Sequence, residues 1–277
     1  MVKVFEGTDK EYYLDGYTKN LLDQSIKYIK QDWDMMFIVD GEEGSGKSVL
    51  SQQNAFYCDQ SFNIDRVAMT PEELLKVITT NKEKYKSFTY DEALGGLSTR
   101  NTMSKTNKLL VGTFAECRQQ NMFGFITLPS FFDLDKNLAL WRVRGLFHTY
   151  KDDDWRRGYF AFYDRDKLKQ LYLLGKKFYN YKCVKPNFIG RFTNKYVLDE
   201  TEYRRKKKKA LKDKRKLMET DGKDEEKKQL LFNKVMELGG EIPHSVKMKI
   251  LELPESTYYF QLKRWKEDKK DANSIET

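Results

Sequence analysis

The sequence has few cysteines and no long apolar run, and each absence excludes a class of protein. The three cysteines are odd in number and far apart, so they fit neither a disulfide framework nor a zinc-binding pattern. No apolar stretch approaches the roughly 18 residues of a membrane-spanning helix, and the N-terminus lacks the apolar core of a signal peptide. We therefore expect a soluble, cytoplasmic protein without an integral membrane segment.

Positive charge is concentrated in one segment. The 277-residue chain has a formal net charge of +9 at pH 7. Residues 204–216 hold ten Lys or Arg and one Asp, which is also +9, so the remainder is close to neutral. Such a segment favours contact with a polyanion, first DNA and then an anionic membrane surface. A solvated, charged helix that links two modules is the alternative.

Apolar runs with strand character alternate with helical patterns in the first part of the chain. The runs that we expect to form a parallel sheet are 35–40, 66–70, 87–93 and 123–129. Residues 143–150 and 157–164 are close together and alternate in polarity, which predicts an antiparallel hairpin at the edge of that sheet. The first domain is predicted to be α/β and to span residues 1–170.

The remainder is expected to hold a connector and a small helical domain. Residues 171–223 form the predicted connector, 224–268 contain three short helical patterns, and 269–277 are predicted to be a disordered tail. A helix-turn-helix-like, DNA-binding arrangement fits these patterns, and a protein-binding bundle is the alternative. The predicted DNA contacts are Arg204, Arg205, Lys206, Lys207, Lys208, Lys209, Thr257, Tyr258, Gln261, Lys263 and Arg264.

The strongest motif is GEEGSGKS, which directly follows a predicted strand and directly precedes a predicted helix. Glycines at these positions allow successive backbone N–H groups to point into one concavity that holds a triphosphate. Lys47 is expected to reach the β- and γ-phosphates, and Ser48 to bind Mg²⁺. The predicted ATP-binding loop comprises Gly41, Glu42, Glu43, Gly44, Ser45, Gly46, Lys47 and Ser48.

A second motif, FTYDEA, ends an apolar strand with two acids. In a P-loop enzyme, an acid at this place completes the Mg²⁺ shell, and an adjacent Glu polarises the attacking water. Asp91 is therefore the predicted metal ligand and Glu92 the predicted catalytic base. Acid pairs are common on surfaces, so the motif gains weight only from its position after the loop, one strand and one helix further along.

Other polar residues have less specific patterns. Thr127 ends the strand of FGFITLPS and is a candidate sensor of the γ-phosphate, although a strand-ending Thr without that duty is nearly as good an interpretation. Arg118, Arg142 and Arg144 are candidates for an arginine supplied to a neighbouring subunit, which would require a ring-like homo-oligomer. Most surface arginines form ordinary ion pairs instead.

With these motifs, residues 35–150 resemble the additional-strand P-loop ATPases, and most closely the HerA/FtsK branch with its Zot-like, genome-packaging and conjugative members. The resemblance rests on GEEGSGKS, TYDE and CRQQNMFGFITLPSFFDLDKNLALWRVRG. Thr127-Leu128-Pro129 stands where that branch often has Thr-Gln. The resemblance implies a RecA-like core and a DNA-directed ATPase of a virus or mobile element. A viral protein of this kind would lie in the host cytoplasm. A portal or conjugation partner of unspecified identity is also implied.

Three functions follow from these patterns. The leading expectation is an oligomeric ATPase that moves or packages DNA. The alternative is an ATP-dependent switch, such as a replication initiator or helicase loader, which binds DNA through its C-terminal module. A small-molecule kinase is the third possibility, but the sequence shows neither an arginine-rich lid nor an acceptor pocket.

Overall fold

A computed structural model of the protein describes residues 1–81, 83–91, 112, 116–237 and 243–275. The chain divides into two compact units, Met1–Ala210 and Leu211–Thr277. The strands are β1 (Val2–Val4), β2 (Tyr12–Leu14), β3 (Met35–Gly41), β4 (Val67–Ala68), β5 (Ser87–Tyr90), β6 (Phe123–Leu128), β7 (Gly145–Tyr150), β8 (Tyr159–Asp164) and β9 (Phe188–Arg191). The helices are α1 (Gly16–Ile29), α2 (Lys47–Cys58), α3 (Pro71–Thr80), α4 (Arg165–Gly175), α5 (Glu200–Glu237), α6 (His244–Ile250) and α7 (Glu255–Ile275).

The central sheet of the first unit is mostly parallel, as the sequence predicts. Its strand order is β4-β5-β6-β3-β7-β8-β9. The first five strands in this order are parallel, and β8 and β9 are antiparallel to their neighbours. The predicted antiparallel hairpin is confirmed as β7 and β8, but its predicted position at the edge of the sheet is wrong, because β9 pairs with the outer side of β8. Because parallel strands end at the same edge, the segments that follow β3, β5 and β6 converge there.

Burial on both faces explains why the sequence of β3 is an almost continuous apolar run. All seven of its residues are buried, which is typical of a parallel strand covered on both faces. Met36 and Ile38 pack into the core on one face of the sheet, and Phe37 and Val39 pack into the core on the other. The alternation follows from the two-residue period of a strand.

The predicted domain boundary at residue 170 is wrong. Strand β9 pairs with β8, so part of the predicted connector belongs to the sheet. The first unit extends to Ala210 and includes the beginning of α5. Short segments such as the four-residue β9 carry little periodic signal, and their place in the sheet depends on the partner strand.

The second unit contains a small apolar core, which includes Phe232, Val235, Tyr258 and Leu262. Val246 and Ile250 fit a helical pattern that predicts burial, but they are 42% and 49% exposed. The predicted disordered tail is also wrong for its first part, since α7 continues to Ile275. In the described part of the chain, no helix combines the length and apolar character that a bilayer crossing requires.

Candidate functional site

The segment 41–48 joins β3 to α2 and requires glycine at several places. Gly41, Gly44 and Gly46 have φ angles of 132°, 74° and 100°, which L side chains rarely adopt. A Cβ at Gly41 would lie 2.1 Å from the Thr149 carbonyl oxygen, and one at Gly46 would lie 2.8 Å from the Phe192 ring. The loop therefore depends on glycine for both its backbone conformation and its close approach to neighbours.

Ser45 fixes this loop to the adjacent strand. Its side chain is buried, and its Oγ lies 2.7 Å from Oγ1 of Thr149 in β7 and 2.8 Å from the Glu42 carbonyl oxygen. Thr149 Oγ1 also donates to the Asp40 carbonyl oxygen at 2.8 Å. The loop then enters α2, whose N-terminus carries about half a positive charge from the aligned peptide dipoles. This arrangement is suited to an anion.

Lys47 lies at the exit of the loop and folds back over it. Its Nζ donates to the carbonyl oxygens of Gly41 and Glu42, both at 2.7 Å. Burial lowers the pKa of the Lys47 ammonium, while the nearby carboxylates of Asp40 and Asp91 act in the opposite direction. An anion bound in the loop would exchange these neutral acceptors for charged oxygens, which form stronger hydrogen bonds.

Asp91 directly follows β5 and is 3% exposed. Its Oδ1 accepts hydrogen bonds from Ser48 Oγ at 3.0 Å and from Thr127 Oγ1 at 2.7 Å. The structure thus brings together three residues that the sequence places at the candidate site from separate motifs. The meeting point is the edge where β5 and β6 end and α2 begins.

The second oxygen of Asp91 has partners that the sequence did not indicate. The hydroxyl of Tyr203 donates to Oδ2, and Lys207 Nζ lies 3.6 Å from the same atom. Tyr203 is buried, and this burial, followed by the adjacent Asp91 charge, raises the pKa of its phenol. The phenol therefore remains a hydrogen-bond donor at neutral pH.

A second buried carboxylate, Asp40, stands at the end of β3. Its Oδ1 lies 2.8 Å from His148 Nδ1, and its Oδ2 accepts hydrogen bonds from Tyr181 and, at 2.7 Å, from the Phe131 N–H. The rings of His148 and Tyr181 stack with centroids 3.7 Å apart. No motif predicts this cluster because its members are distant in sequence and each is common alone.

The hairpin turn between β7 and β8 brings two cations close to the loop. Lys151 Nζ lies 3.5 Å from Glu42 Oε2. A Cβ built at Gly44 would lie 3.6 Å from Arg157 Nη2. Sequence reasoning did not select Arg157, although it directly follows the charged turn KDDDWR. Its exposed guanidinium is placed beside the segment that the sequence predicts to bind phosphates.

The predicted arginines lie elsewhere. Arg142 and Arg144 approach the carboxylate of Asp34 at 3.2 and 3.6 Å. Asp34 precedes β3, and a seven-residue strand is about 23 Å long, so this pair lies at the opposite end of the sheet from Asp91. Arg118 is exposed on a helical turn before β6. None of the three joins the site of its own chain, and a role in a neighbouring subunit stays a prediction.

Some of the predicted DNA contacts are exposed, and others are buried or contact other parts of the protein. Tyr258 is 0% exposed and forms part of the core of the second unit, so its ring cannot reach a phosphate and that assignment is wrong. Lys206 donates to the carbonyl oxygens of Ile64 at 3.2 Å and Val67 at 2.5 Å. The exposed residues are Arg204, Arg205, Lys208, Lys209, Thr257, Lys263 and Arg264, and Gln261 is half-buried.

Glu92, the predicted catalytic base, lies outside the described residues. Among the described residues there is no cluster of three or more His, Cys, Asp or Glu that could hold a metal ion. A metal ion at Asp91 would therefore be completed by Ser48, water and ligand oxygens, a donor set that suits Mg²⁺. Comparison with protein-family models and with curated proteins finds no match to this chain.

Proposed function

We propose that the first unit binds ATP with Mg²⁺ and hydrolyses it. The observation that carries this proposal is the convergence of the glycine-dependent loop, the Lys47 ammonium and the pair of Ser48 and Asp91 at one edge of the sheet. The Ser48 hydroxyl lies 3.0 Å from the Asp91 carboxylate, so one ion can contact both groups with modest movement.

Each group has a role in this proposal. The loop N–H groups and the first turn of α2 bind the phosphates, and Lys47 contributes positive charge to the terminal phosphates. Ser48 and Asp91 hold Mg²⁺, which supplies neutralisation of charge on the phosphate oxygens. Thr127 fixes the orientation of Asp91 through their 2.7 Å hydrogen bond. Glu92, one residue beyond Asp91, is the proposed base for the attacking water.

The strand order supports the resemblance to the additional-strand P-loop ATPases. Strand β6 lies between β3, which precedes the loop, and β5, which ends at Asp91. The candidate phosphate and metal groups lie at the carboxyl ends of these strands, where ligands of open α/β sheets bind. Strand order and site position are shared by the P-loop ATPase class as a whole, so they support the class rather than one branch of it.

We infer that ATP hydrolysis serves a DNA-directed task of a virus or mobile element, with a ring-forming motor that moves or packages DNA as the leading form. The exposed cations of α5 and the exposed Thr257, Lys263 and Arg264 of α7 supply phosphate-binding side chains. The contact of Lys207 with Asp91 favours the second form, a switch in which nucleotide and DNA binding are coupled.

The test is ATP turnover by the full chain with and without duplex DNA at low salt. The motor predicts DNA-stimulated turnover that Lys47→Ala abolishes, and Glu92→Gln should retain ATP binding but block hydrolysis. Slow turnover by a stable monomer would favour the switch. If Glu92→Gln leaves turnover unchanged, Glu92 is not the catalytic base. If Lys47→Ala leaves turnover unchanged, the proposed nucleotide site is wrong.

A further inference from the structure

The start of α5, residues 200–210, has one face packed on the rest of the first unit and one face in solvent. Tyr203, Lys206, Lys207 and Ala210 are buried or half-buried, and their spacing of i, i+3, i+4 and i+7 places them on one helical face. Arg204, Arg205, Lys208 and Lys209 are exposed. The basic segment is therefore not uniformly available to a polyanion, because part of it contacts the protein.

The inward face holds the helix at the candidate metal site. Lys206 donates to two backbone carbonyl oxygens and lies 3.7 Å from Glu73 Oε2. One turn away, Tyr203 packs against the Tyr196 ring, with centroids 5.6 Å apart. These contacts place Lys207 beside the Asp91 carboxylate, at 3.6 Å from Oδ2.

The two oxygens of Asp91 contact different elements of the fold. Oδ1 accepts from the hydroxyls of Ser48 and Thr127, which stand on α2 and β6. Oδ2 faces the phenol of Tyr203 and the ammonium of Lys207, both on α5. A divalent cation at Asp91 would meet an ammonium of the same sign and would compete with both α5 groups for Oδ2.

We propose that α5 regulates the nucleotide site by competing, through Lys207 and Tyr203, with the divalent cation for Asp91, and that a polyanion on the exposed cations of α5 weakens this competition. The inference rests on the proposed Mg²⁺-ATP site and adds its regulation. Binding equilibria are reciprocal, so Mg²⁺-ATP in turn strengthens polyanion binding by the same factor.

The sign of the effect separates this proposal from the simplest alternative. If Lys207 competes with the cation, removal of its charge lowers the Mg²⁺ concentration needed for nucleotide binding. If Lys207 instead binds the phosphates, the same change weakens nucleotide binding at every Mg²⁺ concentration. The two mechanisms therefore predict opposite shifts from one substitution.

The experiment titrates Mg²⁺ into the full chain with a fluorescent ATP analogue and records the half-saturating Mg²⁺ concentration. Lys207→Met removes the charge but retains an aliphatic stem, and Lys195→Met removes an exposed lysine outside the basic segment. We expect Lys207→Met to lower the Mg²⁺ midpoint about tenfold, which corresponds to about 1.4 kcal/mol. Lys195→Met should leave it unchanged, and Tyr203→Phe should lower it by a smaller factor.

A second arm adds a short DNA duplex. It should lower the Mg²⁺ midpoint of the unmodified protein and have little further effect on Lys207→Met. An unchanged or raised midpoint in Lys207→Met would overturn the competition, and an equal effect of DNA on both proteins would overturn the coupling. If the unmodified protein shows no Mg²⁺-dependent binding of the analogue, the proposed function fails. If the analogue binds and Lys47→Ala weakens this binding, the nucleotide site is retained and the two arms test the regulation alone.

Discussion

Two buried carboxylates stand at opposite ends of the central sheet and have different partners. Asp34 and Asp91 are 2% and 3% exposed. Asp34 faces the guanidinium groups of Arg142 and Arg144. The hydroxyls of Ser48, Thr127 and Tyr203 donate to Asp91, and the Lys207 ammonium lies 3.6 Å from its Oδ2. Two guanidinium groups compensate the charge of Asp34, whereas the hydroxyl donors to Asp91 are neutral.

Burial of an acid does not by itself identify a functional site. A carboxylate locked by two arginines fits a role in stability, because removal of one partner leaves the other charge without compensation. A carboxylate held by hydroxyls of three different elements fits a role in ligand binding, because those donors can reorient when a cation arrives. Four substitutions test the comparison.

The largest effect is expected from Asp91→Asn. The amide retains the size of the side chain but removes the charge that holds the metal ion. We expect affinity for Mg²⁺-ATP to fall by about a hundredfold, which is about 2.7 kcal/mol, in calorimetric titrations at millimolar Mg²⁺. Affinity within twofold of that of the unmodified protein would show that Asp91 is not the metal ligand.

Asp34→Asn is the matched substitution at the other end of the sheet. It leaves two half-buried arginines without their anion, so we expect the free energy of unfolding to fall by about 2 kcal/mol in urea denaturation. This value is below that of a fully buried pair because both guanidinium groups are partly exposed. ATP affinity should not change, and a loss of affinity with unchanged stability would reverse the comparison.

Arg157→Gln tests whether a cation beside the loop binds the ATP phosphates, in contrast to the arginines that pair with Asp34. Arg157 lies beside Gly44, and no hydrogen bond or ion pair joins its guanidinium to the described residues. We expect about a tenfold loss of affinity for ATP, or about 1.4 kcal/mol, and a smaller loss for AMP. Arg156→Gln is the control, since Arg156 is paired with Asp152 at 2.7 Å. Equal losses for ATP and AMP would argue against a contact with the terminal phosphates.

The smallest effect is expected from Tyr258→Phe, which provides a control outside both ends of the sheet. The substitution retains the buried ring and removes a hydroxyl that lies 2.6 Å from His244 Nδ1. The loss of one partly buried hydrogen bond should lower the free energy of unfolding by about 1 kcal/mol, measurable by thermal unfolding. A change in ATP affinity would contradict the assignment of Tyr258 to the core of the second unit.

The sequence predicts those parts of the fold and site that depend on local pattern. The apolar run of β3, the alternation of the β7–β8 hairpin and the glycine spacing of residues 41–48 each have a local physical cause, and the structure has these elements at the expected places. The approach of Ser48 to Asp91 follows because parallel strands end at one edge of the sheet.

The features that the sequence did not predict depend on contacts between distant segments. Tyr203 and Lys207 approach Asp91 only because the first turns of α5 pack on the sheet unit, and a basic run looks equally solvated on every face. The burial of Tyr258 has a similar cause, since an aromatic residue within a charged helix can face either core or solvent. Asp40 and His148 are brought together by the pairing of β3 with β7.

Binding of Mg²⁺-ATP at the candidate site is measured most directly as the affinity of the purified full chain for ATP, by calorimetry with millimolar Mg²⁺ and again with a chelator. We expect saturable binding that requires Mg²⁺ and is lost in Lys47→Ala, while Lys195→Met binds as the unmodified protein does. Absence of binding at millimolar Mg²⁺, or equal affinity in Lys47→Ala, would contradict it.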